Sequence, residues 1–187
     1  MQTLRENAKI LGMSSLAYFA TGCFWGAERR FWQMQGVIET SVGYMGGTSI
    51  NPTYEQVCTG RTGHAEIVAV TFDETKVSYQ RLLEEFWTMH DPTSLNRQGG
   101  DIGTQYRSLI YATTPAQYVS AVASRDTYQG ALTAQSLDEI TTEIISSEGV
   151  PYYIAEEYHQ RYLAKNPNGY DCHSSTGVAY PKVGVSL

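Results

Sequence analysis

The sequence predicts an α+β fold, a two-layer sandwich with one mixed sheet and helices packed against it. Short apolar or alternating runs read as strands, and amphipathic stretches at helical spacing fall between them. No repeat, low-complexity tract or linker divides the 187 residues. They are therefore expected to form one domain, large enough to bury a core.

Residues 1–14 read as an extension of mixed character, carrying Arg5, Glu6 and Lys9. Leu11 to Ala20 is mildly apolar but runs straight into Thr21-Gly22-Cys23. Cleavage of a leader there would remove a core strand. Residues 15–169 are expected to be the core. Within it, Leu16 to Ala20 reads as a buried strand and Gly22 as a bend. Phe24, Ala27, Phe31 and Met34 then recur at helical spacing, with Glu28, Arg29, Arg30 and Gln33 opposite.

Val37 to Tyr44 and Ala65 to Phe72 read as strands, separated by a loop marked by Gly46-Gly47 and Asn51-Pro52. Tyr79 to His90 places Tyr79, Leu82, Leu83, Phe86 and His90 on one helical face. Residues 91–105 form a long polar loop, a length that usually marks function or disorder. Tyr106 to Ala112 is a further strand. Thr114-Pro115 opens a helix with cap and first-turn proline in order. Ile140 to Ile145 alternates as a strand, and Ala155 to Lys165 reads as a short helix. Residues 170–187 lack periodicity and read as a mobile tail.

Composition removes several classes. At 42% hydrophobic and 12% aromatic residues, disorder is excluded. A net charge of -6 with no basic run argues against a nucleic-acid surface. No apolar run approaches membrane-spanning length. Three cysteines without a close pair do not make a disulfide framework and fit a cytoplasmic protein.

Cys23 stands where a strand gives way to a helix, between Gly22 and the aromatics Phe24 and Trp25. A helix N-terminus favours the thiolate, the nucleophilic form. A buried structural cysteine fits that turn as well. Glu66 shares a strand face with Val68, Val70 and Phe72. A carboxyl buried there would hold its proton near neutral pH and serve as an acid. The usual exposure of glutamate favours a strand-end residue reaching solvent. Tyr54, His64, Asp101 and Tyr106 lie in or beside loops. Each can orient a substrate oxygen or a water, although singly each reads first as an ordinary loop residue. Cys172, on the tail, has the mobility that thiol exchange with an oxidised partner requires. With His173 alone it makes a poor metal site. Cys58 reads as a small buried side chain.

Taken together, several blocks resemble the A-type peptide methionine sulfoxide reductases. They are Gly22-Cys23-Phe24-Trp25-Gly26, Gly43-Tyr44 with Gly46-Gly47, Asn51-Pro52-Thr53-Tyr54, Gly63-His64-Ala65-Glu66 and His90-Asp91-Pro92. Asn96 to Ser108 and Ala155 to Gln160 complete the set, in order, over roughly residues 17–172.

The resemblance implies a ferredoxin-like α+β sandwich and reduction of methionine-S-sulfoxide, free or in proteins. Cys23 would be the nucleophile, Glu66 the acid for the sulfoxide oxygen, and Tyr54 and Tyr106 its hydrogen-bonding companions. Asp101 would position substrate or water. Phe24 and Trp25 would form the methyl pocket, with His64 among the substrate-binding residues. Cys172 would be the recycling cysteine, oxidised to a disulfide with Cys23 and reduced by thioredoxin. No metal or organic cofactor is implied, and the chain is expected to act as a monomer.

Tyr180 stands where some members carry a further cysteine, so a second disulfide relay is closed to this chain. Two other readings compete. One is a cysteine hydrolase or acyltransferase pairing Cys23 with a histidine such as His64. The other is a non-catalytic binder of oxidised methionine.

Overall fold

The computed structural model describes residues 14–171 and 174–182. The expected N-terminal extension lies outside these, apart from Ser14. Two strands rich in apolar residues take the middle of the sheet, where both faces are covered. They are β1 (Ser14–Thr21) and β3 (Ala65–Asp73), the latter buried along nearly its whole length. They pair antiparallel, with Tyr18 opposite Ala69. β2 (Val37–Met45) lies beyond β3, with Tyr44 opposite Glu66. β6 (Ser108–Ala112) lies on the far side of β1.

Two helices connect these strands: α1 (Phe24–Trp32) after β1, and α3 (Tyr79–Met89) before β6. The spatial order β6-β1-β3-β2 is the ferredoxin-like arrangement, with antiparallel neighbours throughout. Two strands extend it. β7 (Glu143–Ser146) pairs parallel with β6, and β8 (Tyr153–Ile154) pairs antiparallel with β2.

The helices gather on one face of the sheet. Phe24, Ala27 and Phe31 of α1 meet Leu82, Leu83, Phe86 and Trp87 of α3 there. Ala121, Tyr128 and Leu132 of α4 (Pro115–Ala134) join them. Val68, Val70 and Phe72 of β3 face this layer. Side-chain caps begin α3 and α4: Ser78 accepts from the Arg81 N–H, and Thr114 from the Gln117 N–H with Pro115 following. On the other face, Met45, Ala65, Ile67, Leu109 and Tyr111 are covered by Val150 and Tyr152. Among the described residues no helix is long and apolar enough to cross a membrane.

Several boundaries differ from the sequence expectation. Only Tyr162–Lys165 (α5) is helical in the 155–165 stretch. Long-range contacts to its backbone and side chains hold it instead. The Arg161 N–H, at a residue with φ +53°, donates to the buried Glu28 carboxylate at 2.8 Å. The Gln160 amide pairs with both the N–H and the C=O of Val42.

The strand expected from Tyr106 begins at Ser108, because Tyr106 closes a 3-10 turn, Thr104–Tyr106. The strand expected over Ile140 to Ile145 runs from Glu143 to Ser146. Residues 91–105 are built rather than loose. They hold a small hairpin, β4 (Arg97–Gln98) with β5 (Asp101–Ile102), and Asp91 accepts from Thr93 and Ser94. A one-and-a-half-turn helix, α2 (Tyr54–Cys58), opens on a capping box between Thr53 and Gln56.

Residues 174–182 lie against the helical layer. The Tyr128 hydroxyl meets Thr176 and the Val178 carbonyl at 2.9 Å each, and the Tyr180 ring stacks on Tyr128. Cys172, the expected recycling cysteine, falls outside the described residues. Asp171, just before it, pairs with Arg29 of α1.

Candidate active site

β1 ends at Gly22, whose φ of +96° belongs to the region that glycine alone enters readily. Cys23 follows as the cap residue of α1 and is 6% exposed. Gln98 packs over this turn, and its amide is fixed by the backbone of Asp91 at 3.1 and 2.5 Å. The 91–98 loop is thereby held against the residue preceding the thiol.

The first N–H groups of a helix have no partner inside it. The Phe24 N–H finds one across the fold, donating to Glu66 Oε2 at 3.0 Å. This bond ties the carboxyl to the residue next to Cys23. Glu66 is 2% exposed, so the solvent-reaching reading of this residue gives way to the buried one. Removal from water pushes its pKa up to about 8; the Asp101 charge adds to this and the Phe24 N–H opposes it. Glu66 therefore carries a proton at neutral pH.

Tyr54 opens α2 and Tyr106 closes the 3-10 turn. Burial first, and then the neighbouring Glu66 and Cys58, raise both phenols above their ordinary value. They remain hydrogen-bond donors throughout the working range. Both phenols influence Cys58, which is exposed at the end of α2 and not the buried side chain expected from sequence. Its thiol is raised, mainly by desolvation. Asp101 Oδ1 accepts the Tyr170 hydroxyl at 3.0 Å; Oδ2 is buried with no hydrogen-bond partner among the described residues.

Phe24 is 1% exposed and makes an apolar floor against Tyr44. Trp25 is half-buried, with its ring stacked on Tyr162 at 3.8 Å. His64 is placed differently. Its Nδ1 accepts the Gly47 N–H at 3.1 Å and its Nε2 meets the Ser49 carbonyl at 2.8 Å. Both nitrogens hold the 47–49 loop, leaving no lone pair to activate a thiol.

The structure thus brings Cys23, Glu66, Tyr54, Tyr106 and Asp101 into one electrostatic neighbourhood, with Phe24 and Trp25 beginning the same helix. Sequence reasoning assigned no role to Glu156 or His159. Glu156 takes the Tyr44 hydroxyl at 2.9 Å and the Tyr54 N–H at 2.8 Å. The helical pattern over residues 155–165 marks neither role, because the partners Tyr44, Tyr54 and Trp25 are distant in the chain. Among the described residues, no group of three His, Cys, Asp or Glu side chains is placed to hold a metal ion.

A thiol at a helix N-cap position, beside a protonated buried carboxyl and among phenol donors and aromatic rings, belongs to a thiol-based oxidoreductase. The family model for peptide methionine sulfoxide reductase matches residues 15–183, and the chain belongs to that family. The A-type reductase of Pseudomonas putida (strain W619) is 57% identical over 170 residues, 91% of this chain and 76% of the relative. The structure of the A-type reductase of Corynebacterium diphtheriae superposes with a TM-score of 0.82 at 47% identity, covering 91% of this chain and 84% of that one. Reduced Mxr1 from Saccharomyces cerevisiae gives 0.80 at 33% identity, covering 88% and 93%.

Proposed function

We propose that this chain reduces the S epimer of methionine sulfoxide, free or in proteins, by the residues gathered around Cys23. The Phe24 N–H bond to Glu66 carries the reading, because it puts a protonated acid one residue from the thiol. Sulfoxide sulfur is a poor electrophile and its oxygen a poor leaving group. Attack by the Cys23 thiolate on sulfur, with Glu66 giving its proton to oxygen, lowers both barriers. Two electrons pass from Cys23 to the sulfoxide. Methionine leaves, and the oxygen remains on Cys23 as a sulfenic acid. Tyr54 and Tyr106 donate to the oxygen, Asp101 positions substrate or water, and Phe24 and Trp25 hold the methyl group. With methyl and oxygen in separate subsites, only one epimer presents its sulfur to Cys23.

Cys172 then condenses with the sulfenic acid, releasing water and forming the Cys23–Cys172 disulfide. Tyr180 replaces any second relay thiol, and its ring is engaged with Tyr128. This disulfide is therefore the species an external dithiol reduces by exchange. Thioredoxin is the partner of choice: yeast Mxr1 has been solved in complex with Trx2. In this reading residues 15–169 form the catalytic core and the tail delivers Cys172. A reducing cytoplasm supplies the dithiol.

The test is methionine formation from separated S and R epimers of a sulfoxide peptide, with dithiothreitol as reductant. Turnover of the S epimer alone is expected. Failure of both epimers, with folded protein and a reactive Cys23, would overturn the reading. Cys172→Ser tests recycling. With thioredoxin as the reductant it is expected to stop after about one methionine per enzyme, as a single sulfenic acid accumulates. Sustained turnover at the wild-type rate would remove Cys172 from the cycle.

A further inference from the structure

His159 is wholly buried, and four aromatic rings surround it. Their centroids lie 5.1 Å (Phe24), 5.7 Å (Trp25), 4.5 Å (Tyr54) and 4.1 Å (Tyr158) from its own. The Trp25 indole N–H points at its Nδ1 over 3.0 Å. An indole nitrogen only donates, so Nδ1 must be the bare, accepting nitrogen and Nε2 must carry the proton. Nε2 is itself buried and has no hydrogen-bond partner among the described residues. The Glu156 carboxylate comes to 3.8 Å, beyond hydrogen-bond reach, and is already held by Tyr44 and Tyr54. Burial outweighs the pull of Glu156 and Glu55 and keeps the ring neutral.

An imidazole with one nitrogen unsatisfied is a poor choice for filling a core. An apolar side chain of similar shape would avoid the penalty altogether. The other nitrogen accounts for the residue. Stacking on Tyr162, at 3.8 Å and 15°, fixes the plane of the Trp25 indole but leaves the ring free to turn or slide within that plane. A directed hydrogen bond removes that freedom.

We propose that His159 is a positioning residue which, by accepting the Trp25 indole N–H, locks the in-plane orientation of the ring that walls the methyl subsite. The inference rests on the reading of Trp25 as that wall. The hydrogen bond of His159 goes to Trp25, whereas Glu66 is held by the Phe24 N–H, so its effect falls on substrate binding and far less on the chemical step.

The test is a kinetic cycle with a methionine-S-sulfoxide peptide. His159→Leu removes the acceptor and is expected to raise KM about tenfold, the scale of a spoiled apolar subsite, with a much smaller change in kcat. His159→Gln restores an acceptor and should recover most of the loss. In the Trp25→Phe background, which lacks the N–H, His159→Leu should add almost nothing. An equal rise in both backgrounds would overturn the inference, showing that His159 only packs. A raised KM in Trp25→Ala beside an unchanged KM in His159→Leu would also overturn it, while leaving the wall reading intact. An unchanged KM in Trp25→Ala would overturn the wall reading, and this inference with it. A measurement on the wild-type protein guards against misfolded variants. Hydrogen exchange at the Trp25 indole, assigned by its loss in Trp25→Phe, should be slow. Exchange as fast as in an exposed indole would overturn the proposal.

Discussion

Glu66→Gln is expected to lower sulfoxide turnover by about 10²–10⁴-fold, the range of a lost general acid, while alkylation of Cys23 continues. Glutamine keeps the size and can still accept the Phe24 N–H, but it has no proton to give. The pH profile should identify the group. The wild-type rate is expected to fall as pH rises through about 8, where Glu66 loses its proton, and the variant should lack that limb.

Stability gives a second reading, independent of activity. Folding holds the Glu66 proton more tightly than the unfolded chain does, with a pKa of about 8 against an ordinary 4.5. Its contribution to stability is therefore fully present below pH 4.5 and lost as pH rises through about 8. Glutamine does not titrate, so Glu66→Gln should gain on the wild type between pH 5 and pH 9, by about 4 kcal/mol. Urea unfolding at those two pH values measures the difference. Unchanged turnover together with parallel stability curves would take Glu66 out of the mechanism and out of the core.

Gly22→Ala is expected to lose about 2–5 kcal/mol of stability and most of the activity. Two effects add. A side chain at φ +96° is strained by about 1–3 kcal/mol. A Cβ there would also lie 2.6 Å from both Cβ and Cγ of Gln98, and overpacking costs a further 1–3 kcal/mol. Gln98 cannot swing aside without releasing its bonds to Asp91. The backbone must yield instead, and a shift of about 1 Å at the nucleophile can cost 10²-fold in rate. Gly149→Ala separates the two effects. Gly149 has φ +72° with nothing within 4 Å of an added Cβ, so only the backbone strain applies. Equal losses in the two variants, measured by chemical denaturation, would show that the contact with Gln98 is harmless.

The strand, turn and helix around Cys23 were legible because their signals are local. An apolar run, a glycine and a 3.6-residue period all lie within twenty residues. The placement of Glu66 was only half legible. Alternation assigned its face beside Val68 and Val70, but depth depends on what α1 lays over that face. The 155–165 stretch was misread for the same reason. Its helical pattern is real, yet Glu28, 133 residues away in the chain, takes the Arg161 N–H, and Val42, 118 residues away, takes the Gln160 side chain. His159 was invisible because its partner Trp25 is 134 residues distant. Cys58 was misplaced because a small apolar-looking thiol says nothing of the two tyrosines that act on it.

The nine residues of α1 carry an unusual concentration of duties. Phe24 binds the acid, Trp25 meets His159, and Glu28 joins Thr40 to Arg161. Arg29 holds Asp171, and Phe31 fills the core. By contrast α4, with twenty residues, buries only Gln117, Ala121, Ser124, Tyr128 and Leu132. Tolerance to amino-acid change should therefore differ sharply between two helices of the same layer. A population drifting under selection for activity alone would rewrite most of α4 and leave α1 almost letter for letter as it stands.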